Sequence, residues 1–347
     1  MKATAIVRKG RVPVPDRFAR QCEWEAGDKV HLSTDAPGRL IVSRTKPSDN
    51  LLRSYPAPQN GTVLTGGAVL RKAGLEIGDV VAIELRRDGK VSLERVDPRS
   101  EQGFVSPERD EHDMPIPPGW LCQAFTSMPD PRRYLRSGER SAKLILELAE
   151  KHGQELSPES RILDFGCGSG RVARFLPRLT PGQVLACDLH PDAIEWCQRH
   201  MGFGEFFQGQ LTPPMHIEDD SIDLMYAVSV LTHLDMDHQL AWLSEWARIL
   251  KKGALAIVTF SGDDFVEKVL AHAPGYQDAI RETWAANDGF AFIDDDGWRG
   301  VFPDAYQNAY QTWDSVRKIW GEFFTVEDIL ASGEFSNRQN CAILRKP

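Results

Sequence analysis

Ten residues, Ile162 to Arg171, read ILDFGCGSGR. An apolar run meets an acid, three glycines alternate with small residues, and RVARFLPRL (171–179) follows with helical spacing. Strand, glycine loop and helix in that order is the context a nucleotide-binding turn requires. The spacing also discriminates. A dinucleotide fold wants G-x-G-x-x-G, and here Arg171 stands where the third glycine would be. A phosphate-binding P-loop needs G-x-x-x-x-G-K-[ST], which is absent. Asp164, two residues before Gly166, suits a cationic or amino-bearing ligand better than a phosphate.

The rest of this region repeats the alternation. ERSAKLILELAEKH (139–152) has helical spacing. QVLACDLH (183–190) reads as a strand ending in Asp188, about 20 residues beyond the loop, where a carboxylate can accept both ribose hydroxyls. PDAIEWCQRHM (191–201) is the next helix, with Pro191 at its start. DDSIDLMYAVSVLTHL (219–234) gives an acidic turn, a buried strand and a loop holding His233. GALAIVTF (253–260) is another buried strand. The expectation is a doubly wound, Rossmann-like α/β fold.

These motifs, in this order, resemble the class I S-adenosylmethionine (SAM)-dependent methyltransferases. LDFGCGSGR is similar to that family's first motif, ACDLH to its ribose motif, and the tail WGEFFTVEDIL…RQNCAILRKP (320–347) to its closing hairpin. The resemblance covers residues 132–261 and 316–346. It implies a seven-stranded sheet with a terminal antiparallel strand, and SAM as cofactor. It implies that Asp164, Gly166, Cys167, Gly168 and Gly170 line the methionine end and that Asp188 and Leu189 hold the ribose. Adenine is expected near Gln208, Gly209 and Gln210, with Ala227 and Val228 under the ligand and Tyr134 and Gly138 closing over it. Many relatives place Asp or Asn where this chain has glutamine, yet an amide still bonds an exocyclic amine. His233 is the candidate base, and Cys167 reads as a small filler within the loop.

The first hundred residues follow a different rule. VPVPDRFARQCEWEAGDKVHLSTDAPGRLIVSR (12–44) and VLTGGAVLRKAGLEIGDVVAIELRRDGKVSLER (63–95) align without a gap at an offset of 51. Gly27-Asp28 meets Gly78-Asp79, Gly38 meets Gly89, and Arg44 meets Arg95. Each unit reads as a short strand, a helical turn or two, a Gly-Asp turn, then two strands. One unit is too small to bury a core, and two together predict a compact β-barrel. Residues 8–44 resemble the AbrB/MazE swapped-hairpin family, in which two chains complete one barrel that usually binds DNA. That resemblance implies Arg8, Lys9, Arg11, Arg17 and Arg20 as DNA contacts.

Charge divides the same way. The sequence carries −9 overall, with residues 1–100 at +6 and the rest at −15. The predicted organisation is therefore a tandem all-β domain over 1–97 (units 8–46 and 61–97), a proline-rich strap over 98–130, and a methyltransferase domain over 131–347. Trp120, Leu121 and Phe125 are expected to start the strap's docking onto that last domain. An aromatic insert at about 262–320, with Trp284, Trp298, Trp313, Trp320, Phe290, Phe292, Tyr306 and Tyr310, is the expected acceptor pocket or else the insert's own core. Asp263 and Asp264 face the substrate side or a solvated turn. No metal site is expected. The six cysteines are scattered without a C-x-x-C pair, and neither a signal peptide nor an apolar membrane span is evident, which predicts a cytoplasmic protein. The functional expectation is methyl transfer to a small molecule or glycan. The competing one is a DNA-binding regulator whose second domain senses SAM or is inactive. The sequence does not fix the oligomeric state.

Overall fold

The computed structural model describes the chain outside residues 1, 8–10, 15, 23, 25–27, 57–61, 65–66, 77, 101–103, 105–107, 127–129, 295–302, 304 and 336–337. It divides into two compact units, Met1–Tyr134 with Asp296–Pro303 and Leu135–Asp295 with Asp304–Pro347. No helix among the described residues is long and apolar enough to cross a membrane.

Among its described residues the first unit contains eight strands: β1 (Lys2–Ile6), β2 (Arg11–Pro13), β3 (Lys29–Ser33), β4 (Arg39–Ser43), β5 (Leu51–Pro56), β6 (Thr62–Leu64), β7 (Val80–Leu85) and β8 (Val91–Arg95). Two short helices, α1 (Asp16–Gln21) and α2 (Gly67–Lys72), sit at an offset of 51. Six strands form one antiparallel sheet in the order β1-β7-β8-β4-β3-β5, and β2 pairs with β6. Under exchange of the two repeats that order maps onto itself. The registers show the same symmetry. Val12 faces Val63, its own counterpart, while Arg11 faces Leu64 and Pro13 faces Thr62. Ile41 faces its counterpart Ser92, flanked by Leu40–Leu93 and Val42–Val91. The repeat is thus an internal two-fold, in which the first strand of each half pairs with the other half: β1 with β7, and β5 with β3.

Alternation in KVHLS and VSLER turns Val30, Leu32, Val91 and Leu93 to one face. There they join Phe18, Val69, Leu70 and Leu75 in one core. Pairing between β1 and β5, which would close a barrel, does not occur among the described residues. The sheet's apolar face is instead covered by α1, α2 and the turn after α2, which contribute those four side chains. Of the basic residues expected at a DNA-binding face, Arg8 and Lys9 and the side chains of Arg11 and Arg17 lie outside the described residues, and Arg20 is exposed.

Asp110 Oδ1 accepts the N–H groups of His112 and Met114 and so shapes a tight turn. Helix α3 (Gly119–Thr126) then packs on β1 within the first unit, burying Trp120 and Leu121 there. The expected docking of Trp120 and Leu121 onto the second domain is corrected accordingly. The reason is an edge. β1 ends the sheet, and Gln123 Oε1 accepts the Ile6 N–H at 2.7 Å while its Nε2 donates to the Ile6 carbonyl at 2.9 Å. One buried amide thus satisfies both edge groups of a buried residue.

The second unit holds a seven-stranded mixed sheet in the order β11-β10-β9-β12-β13-β17-β16. Its members are β9 (Arg161–Phe165), β10 (Gln183–Asp188), β11 (Gly204–Gln208), β12 (Ile222–Ala227), β13 (Leu250–Phe260), β16 (Thr325–Leu330) and β17 (Asn340–Arg345). The first five run parallel; β17 is antiparallel to both β13 and β16. The helices are α4 (Pro131–Lys151), within this unit from Leu135 onward, α5 (Pro191–His200) and α6 (Met236–Ile249). Phe165 meets Trp242 and Trp246 edge-on at 4.6 and 5.1 Å, fixing α6 against β9. The helix expected over 171–179 is reduced to a 3₁₀ turn at Ala173–Phe175 and one α-turn at Leu176–Leu179. Pro177 lacks the N–H that would continue the first into the second.

Beyond β13 the insert forms α7 (Asp263–Val269), α8 (Pro274–Ala286), a hairpin of β14 (Phe290–Ile293) with β15 (Asn308–Gln311), and α9 (Trp313–Ile319).

Replacing Gln123 by Ala is expected to lower the stability of the first unit by about 2 kcal/mol, because two buried backbone groups lose their partner. Urea unfolding of the full chain, followed by a probe in the first unit, measures this; a loss within about 0.5 kcal/mol would mean that water replaces the amide without penalty.

Candidate functional site

The C-terminal ends of β9, β10, β11 and β12 meet along one edge of the sheet, where α/β folds bind ligands. The glycine loop leaves β9 there. Gly166, Gly168 and Gly170 have φ of +79°, +55° and +77°, a region that side chains with a Cβ seldom adopt. A Cβ on Gly166 would lie 2.3 Å from Val230, and one on Gly170 would lie 2.4 Å from Met201. The alternating glycines are therefore dictated by backbone shape and by neighbours from two other segments.

Asp188 braces this loop. Its carboxylate accepts the Gly168 N–H at 2.8 Å through one oxygen and the His190 N–H at 2.8 Å through the other. The Cys187 carbonyl receives the N–H groups of Gly166 and Cys167, both at 2.9 Å, and the Asp188 carbonyl receives that of Gly209. The glycine loop, the residue expected at the ribose and the start of the segment expected at adenine are thus tied together. Burial raises the Asp188 carboxyl, and the N–H groups of His190 and Gly168 oppose that. Leu189 is half-buried, while Gln208 and Gln210 are exposed at the end of β11 and just beyond it.

Asp164 lies on β9 between Ala186 on β10 and Tyr226 on β12. Its side chain is buried and its carboxyl is pushed up to about 7. Burial is the main cause; the Tyr226 hydroxyl, the Arg171 charge and the Ala173 N–H pull it back. The raised value leaves a carboxyl whose ionised form a nearby cation would favour. Cys167 is buried, and burial raises its thiol well above the ordinary value, in keeping with a space-filling role.

Helix α4 crosses behind the loop. A Cβ on Gly138 would come within 2.0 Å of the Arg171 carbonyl oxygen, so this helix approaches the loop's end at a distance only glycine permits. Tyr134 is fully buried and belongs to the first unit.

The floor opposite the loop comes from the end of β12 and the segment 228–234. Ala227 is buried and Val228 half-buried. Ser229 has φ +61°, which turns the chain so that Val230 reaches Gly166. Its N–H donates to Thr259 Oγ1 at 2.7 Å, and Gln339 Oε1 accepts from both hydroxyls, at 2.9 and 2.8 Å. Sequence reading missed this trio because its members lie on β13 and in two separate loops. His233 sits in a single 3₁₀ turn, ended where Asp235 caps α6. Its Nδ1 lies 2.9 Å from the Gln307 carbonyl oxygen, and its ring stacks on Tyr306 at 4.2 Å.

The insert's other aromatics go elsewhere. Tyr310 joins Val266, Ile280 and Ala291 in the insert's own core, against which Trp284 packs, its indole N–H donating to the Tyr310 carbonyl. Trp320 meets Phe260 in the main core. Phe290 is buried, Phe292 and Trp313 are half-buried, and Trp298 lies outside the described residues. Asp263 accepts the Trp313 N–H at 2.7 Å, and Asp264 accepts that of Ser332 at 2.6 Å, so both carboxylates are engaged in holding the insert and tail.

Exchanging Gly138 for Ala is expected to destabilise the second unit by about 2 kcal/mol, the scale of overpacking, despite alanine's higher helix propensity. Thermal unfolding checks the sign; a raised midpoint would mean that the helix has room to move away.

Parts of the chain are similar in sequence to known proteins. A family model described as a methyltransferase domain matches residues 162–253, from the glycine-loop strand into β13. A ribosomal protein L11 methyltransferase from Cupriavidus taiwanensis is 26% identical over 183 residues, covering 52% of this chain and 56% of its own length. Methyltransferase GfsG from Streptomyces halstedii is 28% identical over 152 residues, covering 41% and 53%. The chain thus spans about half the length of these curated relatives. A solved SAM-dependent methyltransferase from Methanosarcina mazei aligns with 57% of this chain and 96% of its own at 19% identity and a TM-score of 0.43. Residues 162–253 of the second unit thus match a methyltransferase domain, set on a seven-stranded sheet with a braced glycine loop.

Proposed function

We propose that the chain transfers a methyl group from SAM to a small-molecule or glycan acceptor. The observation that carries this reading is the pair of buried carboxylates, Asp164 and Asp188, flanking the glycine loop. Asp164 meets the ammonium of the methionine end, and its buried position makes that pairing strong once formed. Asp188, held by two N–H groups, presents its remaining lone pairs to the ribose hydroxyls. Gln208 to Gln210 flank adenine, Leu189 and Val228 border it, and the loop glycines let the backbone lie close to the ligand. SAM supplies a methyl carbon activated by a sulfonium. The protein's part is to align the acceptor, exclude water and accept a proton, for which His233 is placed on the loop after β12.

A small acceptor is favoured by the insert, which forms its own core and sends one aromatic ring, Tyr306, against His233. The relatives' names include a ribosomal-protein substrate, so a protein acceptor is the reading to test against. The first unit is proposed to be an AbrB-like swapped-hairpin module made self-sufficient by duplication, supported by the two-fold registers of its strands.

Calorimetry of the full chain with SAM and with its demethylated product tests the cofactor site. Both should bind, and replacing Gly168 by Val should abolish binding, because a β-branched residue does not tolerate φ near +55°. The absence of heat with folded protein overturns the reading. The pH dependence follows from Asp164. Its carboxyl titrates near 7 in the free protein and must be ionised to bind the ammonium. Affinity should therefore fall by up to about tenfold per pH unit below about 7, and be lost separately at high pH as the ligand's own ammonium deprotonates. Asp164→Asn should bind more weakly with no such fall; a profile unchanged by that substitution would place the ammonium elsewhere.

A further inference from the structure

The insert sends two consecutive residues to one imidazole. The Gln307 carbonyl oxygen lies 2.9 Å from His233 Nδ1, and the Gln307 N–H donates back to the His233 carbonyl at 3.2 Å. Tyr306 stacks on the ring with centroids 4.2 Å apart and planes 16° from parallel. Stacking fixes the plane of an imidazole, and a bond at one nitrogen fixes its rotation within that plane. Together they leave His233 a single orientation. The platform is itself anchored, because these residues lead into β15, where the Gln311 N–H donates to the Ser261 carbonyl just past the end of β13. A carbonyl can only accept, so Nδ1 carries the ring proton, and in the neutral ring Nε2 carries the lone pair.

We propose that Tyr306 and Gln307 are positioning residues for methyl transfer. They hold His233 as the Nδ1–H tautomer and thereby make Nε2 the nitrogen that takes the acceptor's proton. This rests on the methyltransferase reading above and deepens it, because it defines the acceptor class. The nucleophile must have a lone pair and also carry a proton that leaves during transfer: a hydroxyl or a neutral N–H nitrogen, not a thioether or a tertiary amine. In the step, an acceptor lone pair forms the bond to the methyl carbon, and the sulfur–methyl bond breaks with its electrons going to sulfur. The acceptor's proton passes to Nε2, and nothing is oxidised or reduced. Tyr306 supplies orientation and closure. Its hydroxyl is raised by burial and further by the Asp188 carboxylate, so it stays protonated and does not compete as a base.

Long-range nitrogen–proton NMR of imidazole-labelled full chain tests this, with the His233 signal assigned by its loss in His233→Gln. Wild type should show His233 in its neutral form as a single Nδ1–H tautomer. Tyr306→Phe, which keeps the ring, should preserve that signature. Tyr306→Leu, which fills similar space without stacking, should give a mixture of tautomers. An Nε2–H form in wild type overturns the proposal, as does a Tyr306→Leu spectrum identical to wild type. SAM calorimetry on the same samples separates the two levels. Heat with the wrong tautomer removes the positioning role alone, whereas no heat in wild type removes the methyl-transfer reading. Retained SAM binding by Tyr306→Leu shows that its altered tautomer does not come from unfolding.

Discussion

Two backbone N–H groups, from Gly168 and His190, converge on the carboxylate of Asp188, and the site depends on that convergence. The loop after β9 and the turn after β10 are joined at one buried charged group, so neither can shift without the other. The positive φ values of the three glycines give the loop the shape that brings the Gly168 N–H to Asp188. The Gly209 N–H on the Asp188 carbonyl extends the same tie to β11. A buried carboxylate without those donors would be expensive, and with them it becomes a fixed anchor at the sheet's edge.

Around that anchor each wall of the site comes from a different part of the chain. Val230 lies over Gly166 because Ser229 turns back, and Ser229 is held by Thr259 and Gln339. Helix α4 reaches the loop's end because residue 138 has no side chain. The insert reaches His233 through Tyr306 and Gln307. Asp164, in the middle of this edge, is buried deeply enough that its ionisation awaits a cation. The shape of the loop and the raised carboxyl beneath it are two consequences of one packing arrangement.

Much of this was legible from residue order. The glycine spacing, the acid before it and the acid at the end of β10 are local signals, and the structure brings all three to one edge. The offset of 51 was equally legible and accounts for the strand registers centred on Val12–Val63 and Ile41–Ser92. Other features were not legible. How the apolar face of the six-stranded antiparallel sheet is buried was one of them: barrel closure and the packing of α1 and α2 draw on the same residues, and among the described residues β1 and β5 do not pair. Trp120, Leu121 and Phe125 were expected to start the strap's docking onto the next domain, but Gln123 ties their helix to β1. Eight aromatics in the insert gave no hint that Tyr306 would stack on His233. Composition cannot separate a ring that fills a core, such as Tyr310, from one that orients a histidine, such as Tyr306.

The sequence by itself determined the elements whose conformations are local: the glycine loop with its flanking strand, the carboxylates at fixed distances from it, and the duplication. These arise from backbone geometry and short-range periodicity, which neighbouring residues settle. Only the tertiary structure decided the ionisation of Asp164, the tautomer of His233, the turn at Ser229 and the closeness of Gly138 to Arg171. Each depends on burial, or on a partner tens of residues away in the chain. Desolvation and hydrogen-bond direction are properties of a place in the fold, and no residue carries them until the chain has brought its neighbours there.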